Sequence, residues 1–276
     1  MPPVLRVENL TKTFIRKSLF GKPSVTKAVD DVSLRLEEGR VLVIAGESGS
    51  GKSTIAKLIL GALDPDTGNI YLDGNLMTRD QKSRRILQRS CQMVHQDPYD
   101  SINPRMKVRG IVSEALEIHH IGNTRAREMR VSQALRDVKL DPDDMIHKYP
   151  HMLSGGQRQR VVLARALAVK PRIIIADEPV SMLDVSIRAE MLELMRELQQ
   201  KHGISFIYIT HDLATARHFG TDMAILYRGA IVEKGEISGV LDHPQHPYTQ
   251  ALIGAISDPD PANRFREKAL VDWETV

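Results

Sequence analysis

Hydrophobic and polar positions change period several times along the chain, and each change predicts an element. In "VSLRLEEG", Val32, Leu34 and Leu36 alternate with polar residues, the two-residue period of a half-buried strand. "VLRVENL" near the start and "NIYLDGNLM", with a turn at Asp73-Gly74, extend this to an antiparallel lobe. Val41 to Ala45 are instead continuously apolar and run through a glycine loop into a helical pattern. A buried parallel strand feeding a helix has that signature.

From Val108 the period lengthens. Val108, Ile111, Val112, Ala115 and Leu116 form one helical stripe, and Val131, Ala134, Leu135 and Val138 a second. The pattern predicts a helical insertion over roughly residues 97–155. Strand and helix then alternate again: "RIIIADE", a helix carrying Met191, Leu192, Leu194, Met195 and Leu198, the strand "ISFIYIT", and a hairpin "MAILYRGAIVEKG". The fold class expected is α/β, with "HPQHPYTQALIGAI" as an appended helix and "SDPDPANRFREK" as a mobile tail.

Composition removes several function classes. The 276 residues suffice for a full buried core. With 38 basic against 35 acidic residues, the net charge of +3 is too balanced for a protein that coats nucleic acid by charge, and no nucleic-acid partner is expected. "TRDQKSRRILQRS", locally basic, reads as a solvated helix face. The single cysteine, Cys91, excludes an internal disulfide framework and any site built from several thiolates of this chain. No basic start precedes an apolar run and no stretch of about eighteen apolar residues occurs, so neither a secretion signal nor a membrane span is expected.

Chemistry enters at the glycine loop. Gly46, Glu47, Ser48, Gly49, Ser50, Gly51, Lys52 and Ser53 match G-x-x-x-x-G-K-[ST] between a strand and a helix, the context a phosphate-binding loop requires. Backbone N–H groups freed by glycine curl around phosphate oxygens, Lys52 reaches the β- and γ-phosphates, and Ser53 can ligate magnesium. The strand "IIIA" delivers Asp177 and Glu178 at its C-terminal edge, where sites of parallel sheets lie. Strand alternation aims the two carboxylates apart, Asp177 to the magnesium shell and Glu178 to an attacking water. His211 follows another buried strand and should emerge at the same edge, within reach of a γ-phosphate. Gln96 closes a further apolar strand and offers a neutral amide to magnesium and water.

"GESGSGKST", Gln96, "LSGGQRQR", "IIIADEP", "SMLD" and His211 occur in the order that resembles the nucleotide-binding subunit of ABC transporters. The resemblance implies a P-loop NTPase fold of the ABC type over residues 1–245, with an antiparallel β lobe and an inserted helical subdomain, and an importer-type extension over 246–276. It adds Thr54 to the ATP-binding loop and Phe14 as the ring over adenine, with a core role for Phe14 as the alternative. It makes "LSGGQ" a signature loop: Ser154, Gly155, Gly156 and Gln157, with Asp184 of "SMLD", would meet the ATP held by a second subunit. A helix beginning near Gln157 would turn its positive end toward that anion.

"HQDPYDSINPRMKV" and "HPQHPYTQAL" further resemble the oligopeptide, dipeptide and nickel importer ATPases, in particular the second of the two ATPases such systems carry. That implies an ATP-hydrolysing subunit on the cytoplasmic face of the cell membrane, peripheral, powering import of oligopeptides or dipeptides. Its partners would be a second ATPase subunit, integral permease subunits and, indirectly, a substrate-binding protein. A nickel importer ATPase and an accessory ATPase of a soluble carbon-phosphorus lyase complex stay open. Relatives often carry cysteines after "HPYT" that resemble an iron-sulfur site; Cys91 is the only thiol here, so ATP and magnesium are expected and no cluster.

Overall fold

A computed structural model describes residues 3–16 and 23–255. The expected tail "SDPDPANRFREK" lies outside the described residues.

Two sheets share one core. The first is antiparallel, with spatial order β2-β1-β4-β5, built from β1 (Leu5–Arg16), β2 (Ser24–Leu36), β4 (Thr67–Leu72) and β5 (Asn75–Leu76). The alternation read in "VSLRLEEG" is real: Val32, Leu34 and Leu36 are buried and Arg35 is exposed. The second sheet has the order β10-β9-β3-β8-β7-β6, from β3 (Val41–Ala45), β6 (Cys91–Val94), β7 (Ile173–Asp177), β8 (Ser205–Thr210), β9 (Asp222–Tyr227) and β10 (Ala230–Glu236). It is parallel throughout except for the edge hairpin β9-β10.

Continuous apolar strands are explained by burial on both faces. Leu42, Ile44, Ile173, Ile175, Ile207 and Ile209 face the antiparallel sheet, whereas Val43, Ala45, Ile174, Ala176, Phe206 and Tyr208 face the helices. Helix α1 (Lys52–Ile59) lies between the two sheets, burying Ile55, Ala56, Leu58 and Ile59. The basic stretch is α2 (Gln81–Ser90), whose Asp80 accepts a capping bond from Ser83 N–H at 2.8 Å and whose Leu87 is buried while its arginines stay at the surface.

Residues between β6 and β7 are helical: α3 (Pro98–Ser101), α4 (Val108–Ile118), α5 (Thr124–Asp137), α6 (Pro142–Met145), a 3-10 turn (Pro150–Met152) and α7 (Gly155–Ala168). Helices α4 and α5 bury the stripes read from the sequence against α7. After β7 come α8 (Val185–His202), α9 (Leu213–Phe219), α10 (Ile237–Asp242) and α11 (Pro247–Ala255). Among the described residues no helix is long and apolar enough to cross a membrane. Cys91 is buried in the core, and burial, with Asp73 nearby, pushes its thiol up to about 12, far from reactive thiolate behaviour.

Candidate functional site

The sheet order decides what meets what. Strands β3, β8, β7 and β6 lie side by side in that order, with Ala45 opposite Thr210, Asp177 opposite Ile209 and Val94 opposite Ala176. Their C-terminal ends therefore deliver the phosphate loop, His211, the Asp177-Glu178 pair and Gln96 to one edge, as parallel sheets do.

The loop between β3 and α1 is shaped by what surrounds it. Gly46 adopts φ +148°, and a methyl group there would come within 2.1 Å of Leu226 O; at Gly51, with φ +110°, it would come within 2.1 Å of Ala28 O. Only glycine fits either place, because strand β2 and the end of β9 press directly on the loop. The tip of the β9-β10 hairpin, Arg228-Gly229, closes this seat: Gly229 N–H donates to Ser50 O at 2.9 Å, and Asp30 N–H to Gly229 O at 2.8 Å.

Lys52 is 7% exposed and folds its ammonium back onto the loop, donating to Gly46 O at 2.7 Å and Glu47 O at 2.6 Å. Burial holds this lysine below its usual range, opposed by the carboxylates of Glu178, Asp177 and Glu47. Ser53 Oγ donates to Asp177 Oδ2 at 3.0 Å. Desolvation pushes the Asp177 carboxyl upward, against the Ser53 bond and with the Glu178 charge adding to it.

Because a raised acid pKa means that the folded state resists the carboxylate, Asp177 costs stability above its folded pKa and that cost fades as pH falls through it. Asp177→Asn should therefore raise the thermal midpoint of the nucleotide-free protein at neutral pH while weakening magnesium-dependent nucleotide binding. A lowered midpoint in a thermal scan would contradict the first half.

Glu178 departs from the strand reading. Strand β7 ends at Asp177, and Glu178 sits at φ +48°, a left-handed conformation rare for a residue with a side chain. This turn, rather than strand alternation, separates the two carboxylates. Glu178 N–H donates to Ile209 O at 2.9 Å, which pins the turn to β8. Its carboxylate is held from both sides: Gln96 Nε2 donates to Oε2 at 3.0 Å, and His211 Nδ1 lies 2.8 Å from Oε1. Gln96, expected at the magnesium shell, is thus joined to Glu178 in this structure.

The signature stretch also differs in detail. Helix α7 begins at Gly155, two residues earlier than expected, with Ser154 as its N-cap. Ser154 Oγ accepts from Gln157 N–H at 3.2 Å and Gln157 Oε1 accepts from Ser154 N–H at 3.0 Å, a capping box. That leaves the N–H groups of Gly155 and Gly156 without an intrahelical acceptor. Gly156 has a second reason to be glycine: a methyl group would approach Ile187 Cγ2 on α8 within 2.9 Å. Ser154 and Gly155 are exposed, as are Met182, Asp184 and Val185 at the start of α8. The structure joins these two segments to one another, and among the described residues no hydrogen bond ties Ser154, Gly155, Gly156 or Gln157 to the phosphate loop of their own chain.

Phe14 lies on β1 opposite Thr26, 41% exposed, with Lys12 Nζ 5.9 Å from its ring centre; that exposure rules out the core alternative. Thr26, Lys27 and Arg228 line the same cleft as Lys52, Gln96 and Glu178. Sequence reasoning missed these three, because only the meeting of the two sheets brings them there. It also missed Arg188, which pairs with Asp212 at 3.2 Å beside His211, and Tyr248, whose hydroxyl accepts from Glu47 N–H at 3.1 Å.

Residues 29–181 match the family model described as ABC transporter, and residues 232–271 the one described as oligopeptide/dipeptide transporter, C-terminal region. The dipeptide transport ATP-binding protein DppF of Haemophilus influenzae is 40% identical over 274 residues, 99% of this chain and 83% of the relative. The oligopeptide transport ATP-binding protein OppF of Streptococcus mutans is 43% identical over 260 residues, 94% and 83% of the two chains. Among solved structures, a dimeric ATP-binding cassette in a post-hydrolysis state bound to ADP and Pi superposes with a TM-score of 0.72 at 29% identity, covering 84% of this chain and 98% of that one. The cassette fold, the motifs and these matches together make this chain a member of the ABC transporter ATP-binding family.

Proposed function

We propose that this chain is the ATP-hydrolysing subunit of a peptide importer, working as one half of an ATPase dimer beneath permease subunits at the cytoplasmic face of the membrane. The observation that carries the ATPase reading is the convergence, at one sheet edge, of a phosphate loop, a hydroxyl-carboxylate pair and a carboxylate held by an amide and an imidazole. Peptide cargo is supported by the match of residues 232–271 and by what the named relatives transport.

Each residue has a task that its surroundings suit. Loop N–H groups and the start of α1 bind the phosphates of ATP, and Lys52 exchanges its two backbone carbonyls for phosphate oxygens. Glu47, Ser48, Gly49, Ser50 and Thr54 complete that cradle, and Phe14 stacks on the base. Ser53 and Asp177 suit magnesium: both are hard oxygen donors, and the desolvated Asp177 carboxylate gains most from a cation beside it. Bound there, the ion would neutralise charge on the β- and γ-phosphates.

Glu178 orients and deprotonates the attacking water, with Gln96 and His211 fixing its two oxygens. The Glu178 contact occupies His211 Nδ1, so Nε2 is the nitrogen left for a γ-phosphate oxygen. Ser154 and the N–H groups of Gly155 and Gly156 meet the γ-phosphate held by the other subunit, with Gln157 and Asp184 beside them.

Lys52→Ala should reduce ATP affinity in a fluorescent-nucleotide titration by about tenfold or more, since a buried charge-assisted contact to phosphate is lost. Unchanged affinity would refute the cradle. Purification of the tagged chain from membranes should recover permease subunits; recovery with a soluble enzyme complex instead would overturn the transport reading.

A further inference from the structure

We propose that Tyr248, in the C-terminal region, is a positioning residue for the phosphate loop, so that nucleotide affinity depends on its hydroxyl. This rests on the ATP-site reading above and adds a role to a segment 201 positions away from the loop in sequence.

The loop's second residue is gripped at both ends. Glu47 N–H donates to Tyr248 Oη at 3.1 Å, and Glu47 O accepts from Lys52 Nζ at 2.6 Å. Immediately before it, Gly46 packs so closely on β9 that a methyl group there would come within 2.1 Å of Leu226 O. The peptide unit between Gly46 and Glu47 therefore has its N–H turned out of the cradle and held there. A concave array of N–H groups binds phosphate only when successive peptide units are aimed correctly, and the first unit sets the aim of those that follow.

Tyr248 is suited to hold that unit still. Its side chain is 2% exposed, and its ring packs on Tyr227 with centroids 4.3 Å apart. Tyr227 directly follows Leu226, the residue that crowds Gly46, so loop and brace share one support.

The backbone leading to Tyr248 is locked as well. Glu233 on β10 accepts from Gln245 N–H at 2.9 Å and from His246 N–H at 3.0 Å, and His246 Nδ1 accepts from Tyr248 N–H at 3.1 Å. Although desolvation opposes it, these bonds hold the Glu233 carboxyl below its usual range, as expected for a charged acceptor in use. Burial pushes the Tyr248 phenol upward, so it remains a neutral hydroxyl at physiological pH. The bonds to Glu233, the ring contact to Tyr227 and the bond to Glu47 tie the C-terminal segment to β10, β9 and the loop, the His246-Tyr248 bond stiffens the segment between them, and together they form a strut ending on Glu47.

Tyr248→Phe removes the hydroxyl and keeps the ring contact. In the full chain it should weaken binding of a fluorescent ATP analogue by roughly three- to tenfold, the worth of one hydrogen bond. In the assembled ATPase, KM for ATP should rise in step while kcat at saturating ATP stays within about twofold, because the loop's ground-state hold is what changes. A lowered thermal midpoint with unchanged affinity would mean a merely structural contact and would overturn the proposal.

Lys52→Ala, measured alongside, separates two failures. If it loses affinity while Tyr248→Phe does not, only the brace is wrong; if neither loses affinity, the ATP site itself is misplaced. Should Tyr248→Phe not fold, amide exchange in the unaltered protein decides. Protection of the Glu47 N–H is expected, and exchange at the rate of an open loop would overturn the brace.

Discussion

Replacing Glu178 with Gln should slow ATP hydrolysis by about 10²- to 10⁴-fold while ATP still binds, the range that a general base contributes. The substitution keeps size and shape, so the left-handed turn at φ +48° and its bond to Ile209 O persist. What disappears is a carboxylate able to take a proton from water. The contact to His211 Nδ1 can survive as a bond to the Gln carbonyl, whereas the Gln96 amide, donating now to Oε2, would face another amide nitrogen or force a flip. Single-turnover hydrolysis separates the chemical step from binding, and size-exclusion chromatography with ATP should show accumulated closed dimer. Turnover at the unaltered rate would remove Glu178 from the base role.

Ser154→Arg should abolish most hydrolysis in the assembled dimer, by roughly 10²-fold or more, while the altered subunit keeps its own ATP affinity. Two effects combine at the start of α7. The hydroxyl that caps Gln157 N–H is lost, at a typical cost of about 1 kcal/mol in helix stability. More important, a long side chain replaces a small one on an exposed surface beside the N–H groups of Gly155 and Gly156, filling the space in which a γ-phosphate would sit.

None of the contacts described for the loop around Lys52, to its own carbonyls, β2, β9, the hairpin tip, Asp177 and Tyr248, involves Ser154. Mixing Ser154→Arg with Lys52→Ala subunits should restore part of the activity if the dimer forms between copies, since one composite site is then intact. Collapse of ATP affinity in Ser154→Arg alone would instead place the signature loop in its own subunit's pocket.

Legibility in the sequence followed the strength of the local signal. Val41 to Ala45 was readable to the residue because a strand buried on both faces must be apolar throughout and the glycine loop ends it sharply. The stripes of α4, α5 and α8 were readable because each packs one face onto a neighbour. Strand β1 is longer than "VLRVENL" suggests: Thr13 to Arg16 pair with the exposed stretch Ser24 to Lys27 of β2, where no burial imposes alternation.

The helix start at Gly155 was missed because two glycines weigh against a helix by propensity, and only the capping box and the close approach of Ile187 make them fit. Glu178's left-handed backbone had no sequence signal at all. A carboxylate after a strand reads as one more strand residue until the neighbouring β8 backbone is seen to hold it.

By itself the sequence determined which chemistry the chain carries. The loop Gly46 to Ser53, the pair Asp177 and Glu178, His211, Gln96 and the Ser154 to Gln157 stretch are local patterns, fixed by residue type and spacing. What only the tertiary structure decided is which of them meet. In chain order the strands run β3, β6, β7, β8; in space they run β3, β8, β7, β6, so His211, last in sequence, stands next to the phosphate loop, and Gln96, first after it, stands farthest along the edge. Strand order in a sheet is set by how crossover helices pack and which faces are buried, long-range terms that no short stretch encodes. The same terms bring Tyr248 and Arg228 to the loop and set the signature glycines against the start of α8.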